Sequence, residues 1–81
     1  MNSQPLGAQL RDWRKRQGLN QSSVGEACGV LQAAVSKWER GAEVPAEHWP
    51  ALATALQLSQ TETAQLQRAI LAQYAPITRA A

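Results

Sequence analysis

Apolar positions recur at helical spacing along most of the chain, and nowhere do they alternate with polar positions as in a strand. The first apolar face predicts a helix over residues 6–17, which Gly18 ends. Two shorter faces predict helices over residues 21–28 and 32–40. A fourth stripe starts at Trp49, and Pro50 belongs in the first turn of that helix, where its missing N–H does least harm.

A fifth helix is predicted over about residues 60–75. Ser59 and Glu62 form a capping-box pattern at its start, since a serine hydroxyl and a glutamate three residues on can each bind the other's backbone N–H. Pro76 ends this helix. Residues 1–5 and 77–81 show no such pattern, and we expect them to be loose. The predicted fold class is therefore all-α, with five helices in a single domain over residues 1–81.

Residues 21–40 carry the pattern around which the chain is organised, two short helices joined by Gly29. Glycine adopts the positive φ that a helix end often needs. Gly25 sits in the middle of the first helix, at a cost of about 1 kcal/mol relative to alanine. That cost is understandable if another helix passes very close. The inward face of this helix is expected to consist of Val24, Ala27 and Cys28. Such a pair of helices forms a helix-turn-helix, a DNA-binding motif.

The second motif helix turns Val35 and Trp38 inward, which leaves a contiguous outer face of short, polar or basic side chains. An α-helix fits the major groove of DNA, where each base pair presents a distinct pattern of donors and acceptors. Gln32 suits adenine, Ala33 suits the thymine methyl group, and Lys37 suits guanine. We therefore expect base reading by Gln32, Ala33, Ser36 and Lys37.

Phosphate contacts are expected beside that face. Asn20 is a suitable N-cap for the first motif helix, and Gln21 opens it, where free backbone N–H groups form an anion site. The other candidates are basic: Lys15, Arg16 and Arg40. Residues 1–41 carry six Lys/Arg against three acidic residues, a net charge of +3, whereas residues 42–81 carry −1. The basic half is thus the half that holds the motif, as a polyanion-binding surface requires.

The same stretch resembles the phage repressor and Cro type of helix-turn-helix, the xenobiotic-response-element-like regulators. The resemblance covers about residues 6–58 and rests on Arg14, Gly18, Leu19, Asn20, Gln21, Gly25, Gly29, Val35, and a W-E-x-G-x-x-x-P ending at Trp38, Glu39, Gly41 and Pro45. It implies a lambda-repressor-like DNA-binding domain, with base or phosphate contacts at Gln21, Gln32, Ala33 and Lys37. It also implies a partly buried ion pair between Arg14 and Glu39. Leu31 departs from the pattern, because the family usually has Ser or Thr capping the recognition helix there.

Relatives without a second domain pair two recognition helices about one DNA turn, ~34 Å, apart on a palindromic site. We therefore expect a homodimer on double-stranded DNA with a palindromic operator. The fifth helix carries more apolar surface than one core needs. It is predicted to supply the dimer contact through Leu66, Ile70, Leu71 and Tyr74.

Other chemistries have little support in the composition. One cysteine, Cys28, allows no internal disulfide and no Cys-based metal site, and we expect it to be a small buried residue. His48 stands alone, so we expect no enzyme, no metal and no cofactor. No apolar run approaches the ~20 residues that span a bilayer, and no signal peptide opens the chain, which favours the cytoplasm.

The biological setting stays open at this point. A phage repressor or Cro protein, an antitoxin that also represses its own operon beside a toxin partner, and a restriction-modification controller would all share this binding mode. A bundle that binds proteins and not DNA is the alternative of a different class. Leu31 could then face a partner, whereas in a regulator it could face DNA.

Overall fold

The computed structural model describes residues 4–73, and all regular structure in that range is helical. The five α-helices are α1 (Leu6–Arg16), α2 (Gln21–Cys28), α3 (Gln32–Glu39), α4 (Trp49–Ala55) and α5 (Gln60–Ala72). The all-α fold class with five helices is confirmed. Tyr74, Pro76 and residues 77–81 lie outside the described residues, as do residues 1–3, so the expectations placed on them stay predictions.

The chemistry expected at the helix ends is present. Asn20 Oδ1 accepts a hydrogen bond from the Ser23 N–H at 2.8 Å, which caps α2. Both halves of the capping box form at α5, with Ser59 and Glu62 each accepting the other's backbone N–H. Pro50 lies in the first turn of α4, as predicted. Helix starts are thus the features that local sequence predicted best.

Two features outside the predicted helices were not foreseen. A short 3-10 turn, Ala46–His48, precedes α4, because Pro45 enters in an extended conformation and only three residues separate it from Trp49. The start of the chain also differs from expectation. The side chain of Gln4 donates to Asp12 Oδ2 at 3.0 Å, and its carbonyl accepts from Gln9 at 2.9 Å. Residues 4 and 5 therefore lie against α1 instead of being loose.

One hydrophobic core receives side chains from all five helices. Its buried members are Leu10, Trp13, Val24, Val35, Trp38, Val44, Leu52, Leu56, Leu66 and Ile70. Ala27 is exposed, so the inward face of α2 consists of Val24 and Gly25 with the half-buried Cys28. Trp49 is also only half-buried.

The assignment of Leu66 and Ile70 to a dimer contact is wrong. Their exposures are 0% and 1%, because both side chains fill the core of their own protomer. Leu71 faces outward at 64% exposure, and Tyr74 lies outside the described residues. Of the proposed dimer residues in the described range, Leu71 alone has a side chain that another molecule can reach.

Val44, in the segment between α3 and the 3-10 turn, is a core residue that the helical periodicity did not reveal. Its exposure is 0%. The side-chain amide of Gln73, just after α5, accepts from the Val44 N–H at 2.8 Å and donates to the Val44 carbonyl at 2.9 Å. The segment is therefore fixed to the end of α5 by a side chain that satisfies both backbone groups.

Glycines mark the two closest approaches around α3. A Cβ on Gly7 would lie 2.6 Å from the Trp38 carbonyl oxygen and 2.7 Å from that of Glu39, so α1 crosses the end of α3 at a distance that only glycine permits. A Cβ on Gly25 would lie 2.8 Å from the Val30 carbonyl oxygen. The close approach expected at Gly25 is present, but its two nearest atoms belong to Val30 and Leu31 in the turn before α3 and not to another helix. The close approach at Gly7 was not foreseen. Within residues 4–73, no helix has the length and apolar character needed to cross a membrane.

Candidate nucleic-acid interface

The turn between α2 and α3 is fixed by its own backbone. Gly29 has a φ of 72°, and its N–H donates to the Glu26 carbonyl at 3.2 Å. The Val30 N–H donates to the Gly25 carbonyl at 2.9 Å. These bonds satisfy carbonyls at the end of α2 and allow α3 to start after a short turn. The relative placement of the two helices is thus built into local backbone geometry.

The outer face of α3 brings together the residues expected to read bases. Gln32, Ala33 and Lys37 are exposed, whereas Ser36 is half-buried. Arg40, directly after the helix, is also exposed, and its Nη1 donates to Ser36 Oγ at 2.8 Å. The inner face packs through the buried Val35 and Trp38. The exposed face therefore has no role in the core of the protomer.

A chain of side-chain hydrogen bonds connects this face to the interior. Gln32 Nε2 donates to Gln21 Oε1 at 2.9 Å, and Gln21 Nε2 donates to Glu39 Oε1 at 3.0 Å. The orientation of the Gln32 amide is thus set by Gln21, and that of Gln21 by a carboxylate. This bond uses one amide hydrogen of Gln32 and leaves its carbonyl oxygen and second amide hydrogen, which are the acceptor and donor pair that adenine matches.

The carboxylate at the end of this chain belongs to the ion pair expected from the sequence. Arg14 donates through Nε to Glu39 Oε2 at 2.6 Å and through Nη2 to Oε1 at 3.0 Å. Its remaining Nη1 donates to the Leu19 carbonyl at 3.0 Å. The two side chains are only 13% and 5% exposed. The guanidinium is therefore occupied in tying α1 to α3.

The charge state of Glu39 follows from opposing effects. Burial acts to raise the pKa of its carboxyl group. Hydrogen bonds from Arg14 and Gln21, together with the positive charges of Arg14 and Arg11, outweigh burial and lower that pKa below its ordinary value. Glu39 is consequently ionised at neutral pH, and it accepts all the hydrogen bonds aimed at it.

The residues expected to meet phosphate fall into two groups. Asn20 and Gln21 lie at the N-terminus of α2, and Lys15 and Arg40 are exposed. Arg16 differs, because it forms two hydrogen bonds of 2.7 and 2.9 Å with the Glu62 carboxylate at the start of α5. The structure thus separates Arg16 from the other phosphate candidates and engages it in holding α1 to α5.

Arg11 is a candidate that the sequence analysis missed. It is exposed, and it lines a groove beside α3 together with Arg14, Gln21, Ser36, Glu39 and Arg40. The available signal was spacing, since Arg11 lies three residues before Arg14 and four before Lys15 and so shares their side of α1. This groove places exposed positive charge next to the N-terminus of α2.

Leu31, the residue just before α3, has an environment unlike that of the other leucines. It occupies the N-cap position without any side-chain capping bond, and it is 79% exposed. Ala33, Ala34, Trp38 and Ala42 form a shallow apolar groove beside it, with Lys37 and Glu43 at its rim. The outer face of α3 thus has an apolar part as well as a polar one.

The remaining reactive groups of residues 4–73 form no site of their own. No cluster of three or more His, Cys, Asp or Glu side chains able to hold a metal ion occurs in that range. Burial raises the pKa of the Cys28 thiol, which disfavours the reactive thiolate. The His48 ring packs against Trp38, with ring centroids 5.3 Å apart.

Comparison with known proteins gives consistent results. The family model described as a helix-turn-helix domain matches residues 5–66. Repressor protein C2 of Salmonella phage P22 is 40% identical over 60 residues, which cover 73% of this chain and 28% of that protein. The chain thus spans less than a third of the length of this relative. A solved structure of the P22 c2 repressor protein in complex with a synthetic operator superimposes with a TM-score of 0.70. It is 34% identical, and the match covers 83% of this chain and 98% of that chain. On these grounds, the chain belongs to the helix-turn-helix domain family.

Proposed function

We propose that this chain is a sequence-specific repressor of transcription that binds double-stranded DNA as a homodimer and inserts α3 into the major groove. The observation that carries the proposal is the 34% identity to a repressor structure solved on an operator, over 98% of that chain. The exposed polar face of α3, which has no role in the core, gives this similarity a physical basis. Binding to operator DNA would place the protein in the cytoplasm.

Base reading is assigned to the outer face of α3. Gln32 pairs with adenine through the amide groups that Gln21 leaves available, and Lys37 donates to guanine O6 or N7. Ala33 lies against a thymine methyl group, and Ser36 contacts a base or a phosphate. Because each bidentate contact discriminates by about 1–3 kcal/mol, the longer side chains contribute most of the specificity.

Phosphate contacts are assigned to the edges of the same face. Asn20 and Gln21 present the N-terminus of α2 to the backbone of DNA, where its dipole attracts an anion. Neighbouring phosphates are assigned to the exposed basic side chains of Arg11, Lys15 and Arg40. Arg16 would have to give up two hydrogen bonds to Glu62 to do the same, so we assign it a structural role.

A dimer on a palindromic operator is proposed because one copy of α3 contacts few base pairs. Its eight residues can contact only a few base pairs, which is too little information for a unique site. Two copies about one DNA turn apart would double the sequence read and favour a palindromic operator. Leu71, exposed on α5, is the contact that we assign to the dimer in the described range.

The test is to select a preferred duplex from random sequences and to titrate it by fluorescence anisotropy. We expect Gln32→Ala and Lys37→Ala each to lose about 1–3 kcal/mol on the selected duplex and to change little on a random duplex. Gln65→Ala and Arg68→Ala are matched controls, because they remove an amide and a cation from exposed positions of α5. Equal losses on both duplexes would restrict the two residues to phosphate contacts. Failure of any sequence to be enriched would overturn the proposed function.

A further inference from the structure

Leu31 has a side chain that neither the core nor the start of α3 requires. Its exposure is 79%, and within residues 4–73 the other large apolar side chain of this kind is Leu71. Its backbone has the extended N-cap conformation, at φ −79° and ψ 157°. Ser, Thr, Asp or Asn at such a position would bind a free N–H of the first turn, which leucine cannot do. The Leu31 side chain is therefore available for a contact with another molecule.

The surroundings of Leu31 indicate what that contact is. The leucine directly precedes Gln32, the amide of which is oriented by Gln21. It also borders the apolar groove that contains Ala33 and Ala34. In helix-turn-helix proteins the N-terminal residues of the recognition helix reach the base edges. A partner protein seated on Leu31 would therefore compete with DNA for the same end of α3.

We propose that Leu31 adds a second thymine contact to the one already assigned to Ala33, by packing against the 5-methyl group of a thymine in the operator. This inference rests on the proposed function, since it assumes that α3 lies in the major groove. The 5-methyl of thymine is the apolar group that the base edges present in that groove. Leu31 and Ala33 provide an apolar surface at the leading end of the helix, and Gln32 between them selects the adjacent adenine.

The test removes the methyl group alone. Each thymine of the selected duplex is replaced in turn by deoxyuridine, which keeps the base pair and lacks the methyl. We expect the wild type to bind about fourfold more weakly at one or two positions per half-site, the effect of losing one buried methyl group. Leu31→Ser should bind the thymine and uridine duplexes equally at one or more of those positions. Because serine is a good N-cap, the thermal midpoint of this variant should not fall.

The control is Gln65→Ser, which shortens an exposed side chain of α5 that has no assigned contact and should keep the uridine profile of the wild type. A Leu31→Ser variant with the full wild-type uridine profile would overturn the inference. A Leu31→Ser variant whose affinity falls by the same factor on every duplex would also overturn the inference. In both cases preference for the selected duplex over random DNA would persist, so the proposed function would stand. If the wild type itself shows no such preference, the proposed function has failed.

Discussion

At the scale of single residues, Glu39 connects three helices through its carboxylate. It lies on α3, it accepts two hydrogen bonds from Arg14 of α1, and it accepts one from Gln21 of α2. The amide of Gln32, on the exposed face, is oriented through this same chain. One carboxylate therefore fixes the angle between helices and also the direction of a side chain proposed to read bases.

The Arg14 and Glu39 pair should behave as one unit in a double-mutant cycle. Arg14→Met or Glu39→Gln alone leaves a partly buried charged group without its partner, at a cost of up to about 3 kcal/mol of unfolding free energy. The double variant should lose less than either single variant, because no uncompensated charge stays buried. The measurement is urea denaturation of all four proteins. Additive losses would show that the two side chains act independently.

The two ion pairs of α1 differ in how well the sequence could predict the partner of each arginine. Arg14 follows the core residue Trp13, and Glu39 follows the core residue Trp38, so the pattern of inward faces already placed them near each other. The partner of Arg16 could not be predicted in the same way. Glu62 is 46 residues away, and their contact depends on where the start of α5 docks against α1. Packing of whole helices decides that position.

At the level of helices, the crossing of α1 and α3 depends on Gly7. In an unpacked helix, Gly7→Ala would stabilise by about 1 kcal/mol, because alanine is the better helix former. Here the added Cβ would lie 2.6 Å from a backbone oxygen of Trp38, so α1 must move. We expect a net loss of about 2 kcal/mol in unfolding free energy, measured by urea denaturation.

The control for Gly7→Ala is Ala64→Gly, at an exposed position inside α5, where helix propensity acts alone. It should cost about 1 kcal/mol. The two substitutions exchange the same residue types in opposite directions, yet both should destabilise. A Gly7→Ala variant at least as stable as the wild type would show that the crossing can relax.

The start of α5 should make stability depend on pH through Glu62. Hydrogen bonds from Arg16 and from the Ser59 backbone lower the pKa of this carboxyl group from 4.5 to about 2. Because the folded pKa lies below the unfolded one, the contribution is complete above about pH 5 and is lost as pH falls towards 2. Thermal unfolding between those values should show a shallower decline for Glu62→Gln than for the wild type.

The pKa of Glu39 is also lowered, so its protonation in acid reduces stability as well. Variants must therefore be compared to isolate the contribution of Glu62. Arg16→Met serves as the second variant. It removes the guanidinium and keeps the Ser59 cap, so the pKa of Glu62 in the folded protein rises towards its unfolded value. The loss of stability in acid should therefore be smaller than in the wild type and should be complete at a higher pH. Parallel curves for Glu62→Gln and the wild type would contradict this account of α5.

Helix positions could be predicted because each helix has its own periodic face and end signals. The 3-10 turn could not, since Ala46–His48 is too short to show a period. The error on Leu66 and Ile70 has a more general cause. Periodicity identifies the apolar side of α5, but it cannot tell whether the protomer or a second copy covers that side. Only the packed structure settles that question.

For the molecule as a whole, the open prediction is the dimer. Leu71 is 64% exposed on α5, and it is the described residue to which we assign the dimer contact. In sedimentation without DNA at micromolar concentration, we expect the wild type to be a dimer and Leu71→Glu to be a monomer. A buried charge at the contact is the physical reason.

Leu31→Glu is the matched control for the dimer, because it places the same charge on the other exposed leucine, beside α3. It should sediment as the wild type does. A wild type that is monomeric under these conditions would remove the idea of a preformed dimer. A Leu71→Glu variant whose dimer is undisturbed would assign the contact to other residues.

The two hydrogen bonds between the Gln73 side chain and the Val44 backbone make the Val44 amide a probe of whether the end of α5 detaches. The Val44 amide hydrogen belongs to no helix, and it is held at 2.8 Å by the side chain of Gln73. Its exchange with deuterium in heavy water should therefore require the end of α5 to lift away, and nothing more. If the Val44 amide exchanges faster than the amides of α3, the end of α5 detaches while α3 stays folded. Slower Val44 exchange on adding an operator or raising the protein concentration would show that binding closes this end of the molecule.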